Sequence, residues 1–200
     1  DLLALELGVK NGKVTNTQYQ EYLKQFELII TNMSSIIEKS QKWIAKNKTI
    51  FNKAKRMIFI GYGATYGVAR EGETKITETV HITALGKELE EYMHGPYLGL
   101  HDSDCIIFIE PQGKLIDRAN KLKEFLDMHV KNVMTIYAKA SDTDKLTDLD
   151  LNVENNEELL ASLYLTIPIH LLAFELSKLK NIDLFNSTYP EFDKITGSKI

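Results

Sequence analysis

The residues in this 200-residue sequence best suited to proton chemistry are three charged groups at helical spacing and one histidine before a forced turn. Glu71, Lys75 and Glu78 fall within roughly 60° of one another if their segment is helical, at about 100° per residue. A carboxylate and an ammonium so placed could take up a proton and steady the charge that develops. The same spacing also describes an exposed, salt-bridged face worth about 0.3–0.5 kcal/mol per pair, and spacing alone favours that plainer reading. His94 stands in His94-Gly95-Pro96, where an imidazole precedes a turn; a lone histidine is more often a surface or capping residue than a catalyst. The other histidines, His81, His101, His129 and His170, are scattered without metal-ligand spacing, so no metal is expected.

Just upstream, Gly61-Tyr62-Gly63-Ala64-Thr65-Tyr66-Gly67 joins an apolar run to the start of that helix. Free backbone N–H groups and the positive end of a helix dipole suit an anion. Gly61, Gly63 and Thr65 are therefore candidates for substrate contact, although a merely tight strand-to-helix turn fits equally well. The glycines do not match G-x-G-x-x-G, and no G-K-[ST] follows, so neither a dinucleotide nor a nucleoside triphosphate is expected.

These groups need a frame, and the hydrophobic pattern supplies one. Arg56–Ile60, Asp104–Ile109 and Asn132–Tyr137 read as buried strands, with a weaker one at Leu149–Val153. Helical patterns cover Asp1–Leu7 (closed by Gly8), Thr17 to about Lys53, Thr65–Val80, Lys114–His129 and Asn156–Lys178, where Pro168 would bend the chain. In the Thr65–Val80 helix, Ala69, Gly72, Ile76 and Val80 form the stripe that should face the sheet. Gly72 costs about 1 kcal/mol against alanine and calls for a close backbone approach. Apolar strands alternating with amphipathic helices predict an α/β, three-layer αβα sandwich on a mainly parallel sheet of about five strands. Ligands in such folds gather beyond the carboxyl ends of the strands. Leu184–Ile200 loses helical periodicity yet keeps Phe185, Tyr189, Phe192 and Ile195, as a segment that packs on something would.

Composition narrows the function classes. Net charge is −4 and no dense Lys/Arg block appears, which argues against nucleic acid. No apolar stretch is long enough to span a bilayer and no secretory signal opens the sequence. The single Cys105, inside Cys-Ile-Ile-Phe-Ile, reads as a buried strand residue, and a reducing, cytoplasmic compartment is expected. Because the first residue is Asp1, an upstream part is expected to be missing.

Read jointly, E-G-E-T-K-I-T-E from Glu71 to Glu78 and E-Y-M-H-G-P from Glu91 to Pro96 resemble a known signature. It is that of the second sugar-isomerase (SIS) domain of glucosamine-6-phosphate synthase and of fructosamine-6-phosphate deglycases. There the pattern is E-G-x-x-K-x-x-E followed, at the same ungapped interval, by E-L-K-H-G-P. The resemblance covers about residues 15–200. It implies residues 1–14 as the end of a preceding domain or linker, 15–183 as the C-terminal SIS domain, and 184–200 as a tail reaching the active site. By position it implies Glu78 as the carboxylate moving a proton between C1 and C2 of an open-chain sugar phosphate. His94 would assist ring opening in a neighbouring subunit's site, Lys75 and Glu71 would be supporting charges at the substrate, and Lys194 would close over it. It also implies a homodimer or higher oligomer and an upstream SIS domain holding the phosphate, since no Ser-rich cradle appears here. No cofactor is expected, because an α-hydroxy carbonyl is its own electron sink. Leu85-Gly86-Lys87, Tyr92-Met93 and the tail depart from the synthase, pointing towards a deglycase or isomerase. The rival reading is a non-catalytic sugar-phosphate-binding regulatory module.

Overall fold

A computed structural model describes residues 1–155 and 158–198. The chain opens with α1 (Leu2–Lys10), α2 (Asn16–Lys46) and α3 (Lys48–Lys53). It continues with β1 (Arg56–Gly61), α4 (Tyr66–Val80), β2 (Thr83–Glu88), α5 (Leu89–Met93) and β3 (Cys105–Glu110). Then come α6 (Ile116–Asp127), β4 (Asn132–Tyr137), β5 (Asp150–Asn152), α7 (Ala161–Leu179) and α8 (Phe192–Thr196). The five strands are all parallel, in the order β2-β1-β3-β4-β5. The expected sandwich is therefore present.

Alternation along each strand divides the core in two. Met57, Phe59, Cys105, Ile107 and Ile109 point to a cluster shared with α2, α4 and α7. Ile58, Ile60, Ile106 and Phe108 point the other way, to Leu89 and Tyr92 of α5 and to Ala119, Leu122 and Leu126 of α6. Ala69, Gly72, Ile76 and Val80 are buried as their spacing predicts. A Cβ on Gly72 would lie 2.8 Å from the Phe59 ring, which is the close approach that makes glycine necessary there. Cys105 is fully buried, and burial pushes its thiol up to about 12, which leaves it inert at neutral pH.

Several boundaries correct the sequence reading. Helix α1 runs through Gly8 to Lys10 and is capped by Asn11. The long second helix starts from a Thr15–Gln18 capping box and breaks at Asn47, whose buried amide donates to the carbonyls of Trp43 and Asp148. The last long helix runs from Ala161 to Leu179, and the expected start at 156 lies outside the described residues. The edge strand β2 was absent from the reading. Its sequence, Thr-Ala-Leu-Gly-Lys-Glu, is neither continuously apolar nor cleanly alternating. It is a strand because it pairs with β1 throughout, and because Gly86 lets α4 press close: a Cβ there would sit 2.4 Å from the Ala69 carbonyl oxygen.

Candidate functional site

The charged face of α4 is assembled as its spacing predicts. Lys75 Nζ is ion-paired with Glu78 Oε2, and hydrogen bonding to Glu78 raises the Lys75 ammonium above its ordinary value. Glu71 turns instead to α7, where its Oε1 lies 2.8 Å from His170 Nε2. Glu78 lines an open cleft of about 900 Å³ together with the tail residues Ser187, Thr188, Tyr189, Phe192 and Asp193. His81 and Thr83 line it as well. Lys194 is exposed beside Asp193 and is not among the lining residues.

Glu78 and His94 lie on opposite sides of the sheet. Helix α4 packs on the face shared with α2 and α7, whereas α5, which ends at Met93, packs with α6 on the other. His94 caps α5 and is exposed. The segment after it is fastened by Arg56, which donates to both carboxylate oxygens of buried Asp104 at 2.8 and 2.5 Å and to the Gly99 carbonyl at 2.5 Å. His94 is not among the residues that line the cleft of Glu78. Within a single chain these two residues do not meet.

The loop after β1 lies at the far end of α4, about 18 Å from Glu78 at 1.5 Å per residue. Its candidates are occupied by the turn itself. Thr65 is fully buried; its hydroxyl lies within hydrogen-bond reach of the carbonyls of Ile109 (2.8 Å) and Tyr62 (2.9 Å), with one proton to donate, and accepts the Tyr62 N–H. Gly61 is buried against the Thr65 carbonyl, which a Cβ would meet at 2.4 Å. Tyr62, also buried, donates its hydroxyl to the Pro111 carbonyl at 3.1 Å. The loops after β1 and β3, which flank the place where doubly wound sheets usually take a ligand, are thus tied to one another. Of the expected contacts only Gly63 is exposed. Gly61 and Thr65 are buried in building the turn itself.

Sequence reasoning missed two further groups. His81, dismissed with the scattered histidines, shares the cleft of Glu78. Glu110 closes β3 at 1% exposure, with neither carboxylate oxygen hydrogen-bonded among the described residues. Burial pushes it up to about 7; Lys123, bound to Asp150 at 2.9 Å, opposes the shift and Asp150 adds to it. An acidic residue ending the apolar run Cys-Ile-Ile-Phe-Ile was the available signal. Among the described residues no cluster of three or more metal-ligating side chains occurs, and no helix is long and apolar enough to cross a membrane.

The family model for the SIS domain matches residues 50–177. The chain belongs to the SIS domain family. This SIS domain is 28% identical, over 185 residues, to the glutamine–fructose-6-phosphate aminotransferase (isomerizing) of Bacteroides thetaiotaomicron, covering 92% of this chain and 30% of that protein. The enzyme of the same name from Thermococcus kodakarensis is 25% identical over 186 residues, covering 91% and 30%. The chain thus spans about a third of the length of these curated relatives. Among solved structures, a Clostridium difficile 630 protein proposed to be a phosphosugar isomerase superposes with a TM-score of 0.86 at 24% identity, covering 100% of this chain and 55% of the other. The C-terminal domain of glucosamine-fructose-6-phosphate aminotransferase from Francisella tularensis gives 0.81 at 19% identity, covering 91% and 51%. These two likenesses show that the SIS domain has the fold of phosphosugar isomerase domains.

Proposed function

We propose that this domain is the C-terminal SIS half of an enzyme that isomerises or deglycates a ketose or amino-sugar 6-phosphate. Glu78 is the carboxylate that carries a proton between C1 and C2, held in place by Lys75, with Glu71 as a further charge along the same face. His94 serves the site of a second copy, Lys194 closes from the tail, and Gly63 offers only its backbone. The phosphate is held by another SIS domain of the same chain. The observation that carries this reading is Glu78, paired with Lys75, in the lining of a cleft shared with the tail. Enolisation beside a carbonyl needs such a base and a donor for the oxygen, and no cofactor. The curated relatives named above are aminotransferases, so the departures at Leu85-Gly86-Lys87, at Tyr92-Met93 and in the tail carry the deglycase preference.

The test uses the full-length chain with fructose 6-phosphate or a 6-phosphofructosamine. Glu78→Gln is expected to lower turnover roughly 10²–10⁴-fold. Mixed and reassembled Glu78→Gln and His94→Asn chains are expected to recover part of the activity, because one site then receives both intact groups. No recovery would reject the shared site. The separation of Glu78 from His94 in one chain also favours a second reading, a non-catalytic sugar-phosphate sensor; a thermal shift with sugar phosphate but no turnover would select it.

A further inference from the structure

We propose that His81 is a second catalytic residue of the Glu78 cleft, supplied by the same chain. The assignment rests on the isomerase reading and adds to it a residue to which the family resemblance gives no role. His94 lies across the sheet, so the imidazole that the chain itself offers to Glu78 is His81. It follows Glu78 by three positions, just past the end of α4, and both line the same cleft. The backbone there is unusual. His81 ends α4 in the left-handed region, at φ 58° and ψ 35°. Glycine or asparagine is the common residue in such a cap, and histidine carries a steric cost that glycine would not. Thr77, Thr83, Ser187 and Thr188 add hydroxyls suited to a polyol to a lining that also holds Asp193 and the apolar Ile82 and Phe192.

Isomerisation of a ketose needs protons moved on carbon and on oxygen, and one carboxylate does not serve both at once. In the proposed division Glu78 takes the proton from C1 while protonated His81 gives its proton to the C2 carbonyl oxygen, leaving an enediol. Glu78 then returns its proton to C2 as the O1 hydroxyl gives its own back to His81. The C1–O1 and C2–O2 bonds exchange double-bond character, and both residues end as they began. Nothing else is consumed.

The experiment measures the full-length chain with fructose 6-phosphate. His81→Asn accepts the left-handed backbone but cannot transfer a proton, and should lower kcat/KM roughly 10²-fold. His81→Gly should melt no lower than wild type and lose activity to the same extent; a purely structural role predicts a fully active glycine variant. Because His81 and Glu78 come from one chain, mixing His81→Asn with Glu78→Gln chains should restore nothing, in contrast to the His94→Asn mixture. Both His81 variants staying within about twofold of wild type, or recovery in the His81 mixture, would overturn the assignment and leave the isomerase reading standing. A wild-type chain that converts no phosphosugar would remove both.

Discussion

Replacing Glu110 by glutamine should change how the stability of this domain depends on pH. The Glu110 carboxyl is 1% exposed, neither oxygen has a partner among the described residues, and burial moves it from its ordinary 4.5 to about 7. The folded state therefore keeps a proton that the unfolded chain has already lost. For an acid whose folded value is raised, the stabilising contribution is complete below about 4.5, declines between 4.5 and 7, and is gone above 7. At about 1.4 kcal/mol per unit, the interval corresponds to about 3 kcal/mol, a large share of the 5–15 kcal/mol typical of a domain. Glutamine has the same shape and no such titration. Urea unfolding of both proteins at half-unit steps from pH 5 to 8.5 separates Glu110 from every other titrating group, because those groups are common to both curves. The difference in unfolding free energy should grow by about 3 kcal/mol in favour of glutamine up to pH 7 and then level off. The glutamine amide brings its own unpaired donors, so the offset between the curves is not diagnostic; the change with pH is. Parallel curves would show that Glu110 is charged or solvated in the folded chain, and the reasoning would fail.

Two further substitutions probe the scaffold. Asp104→Ala strands the Arg56 guanidinium, which is 25% exposed, and should cost about 2–3 kcal/mol. It should also speed amide exchange at residues 97–104, read by mass spectrometry; unchanged exchange would show that the clamp does not hold the segment after His94. Thr65→Val keeps the volume but removes the acceptor of the Tyr62 N–H and the one hydroxyl donor near the Ile109 and Tyr62 carbonyls. A loss of about 1–3 kcal/mol in chemical denaturation is expected, and a neutral result would reopen the loop as a ligand site.

The strands legible in the sequence are those buried on both faces. Arg56–Ile60, Asp104–Ile109 and Asn132–Tyr137 announce themselves as apolar runs because each is covered by helices above and below. The face of α4 was legible for a similar reason: one helix fixes the relative directions of Glu71, Lys75 and Glu78 without help from the rest of the chain. Edge strand β2 was not. It is half-covered, and its key residue, Gly86, is selected by a helix pressing on it and not by any period. Thr65 misled for a different reason. A hydroxyl at a helix start reads identically whether it greets a ligand or two carbonyls of its own fold.

The missed strand also hid the relation between Glu78 and His94. Crossovers between parallel strands are almost always right-handed. A step from β1 outward to β2 and a return from β2 past β1 to β3 must therefore use opposite faces of the sheet. With β2 in place, that rule alone puts α4 on one side and α5 on the other, as observed. Without it, His94 looks like a residue sixteen positions downstream of Glu78 and free to fold back upon it. The topology forbids that return and leaves each residue at an open surface: the Glu78 side chain is 56% exposed, and the tail beside it presents Tyr189 and Phe192 at 67% and 56%. Proton abstraction from carbon works in a site that excludes water. If Glu78 performs it, the cover must come from surfaces that this chain does not wrap around itself. A second copy bringing His94 is the cover that supplies the missing group as well.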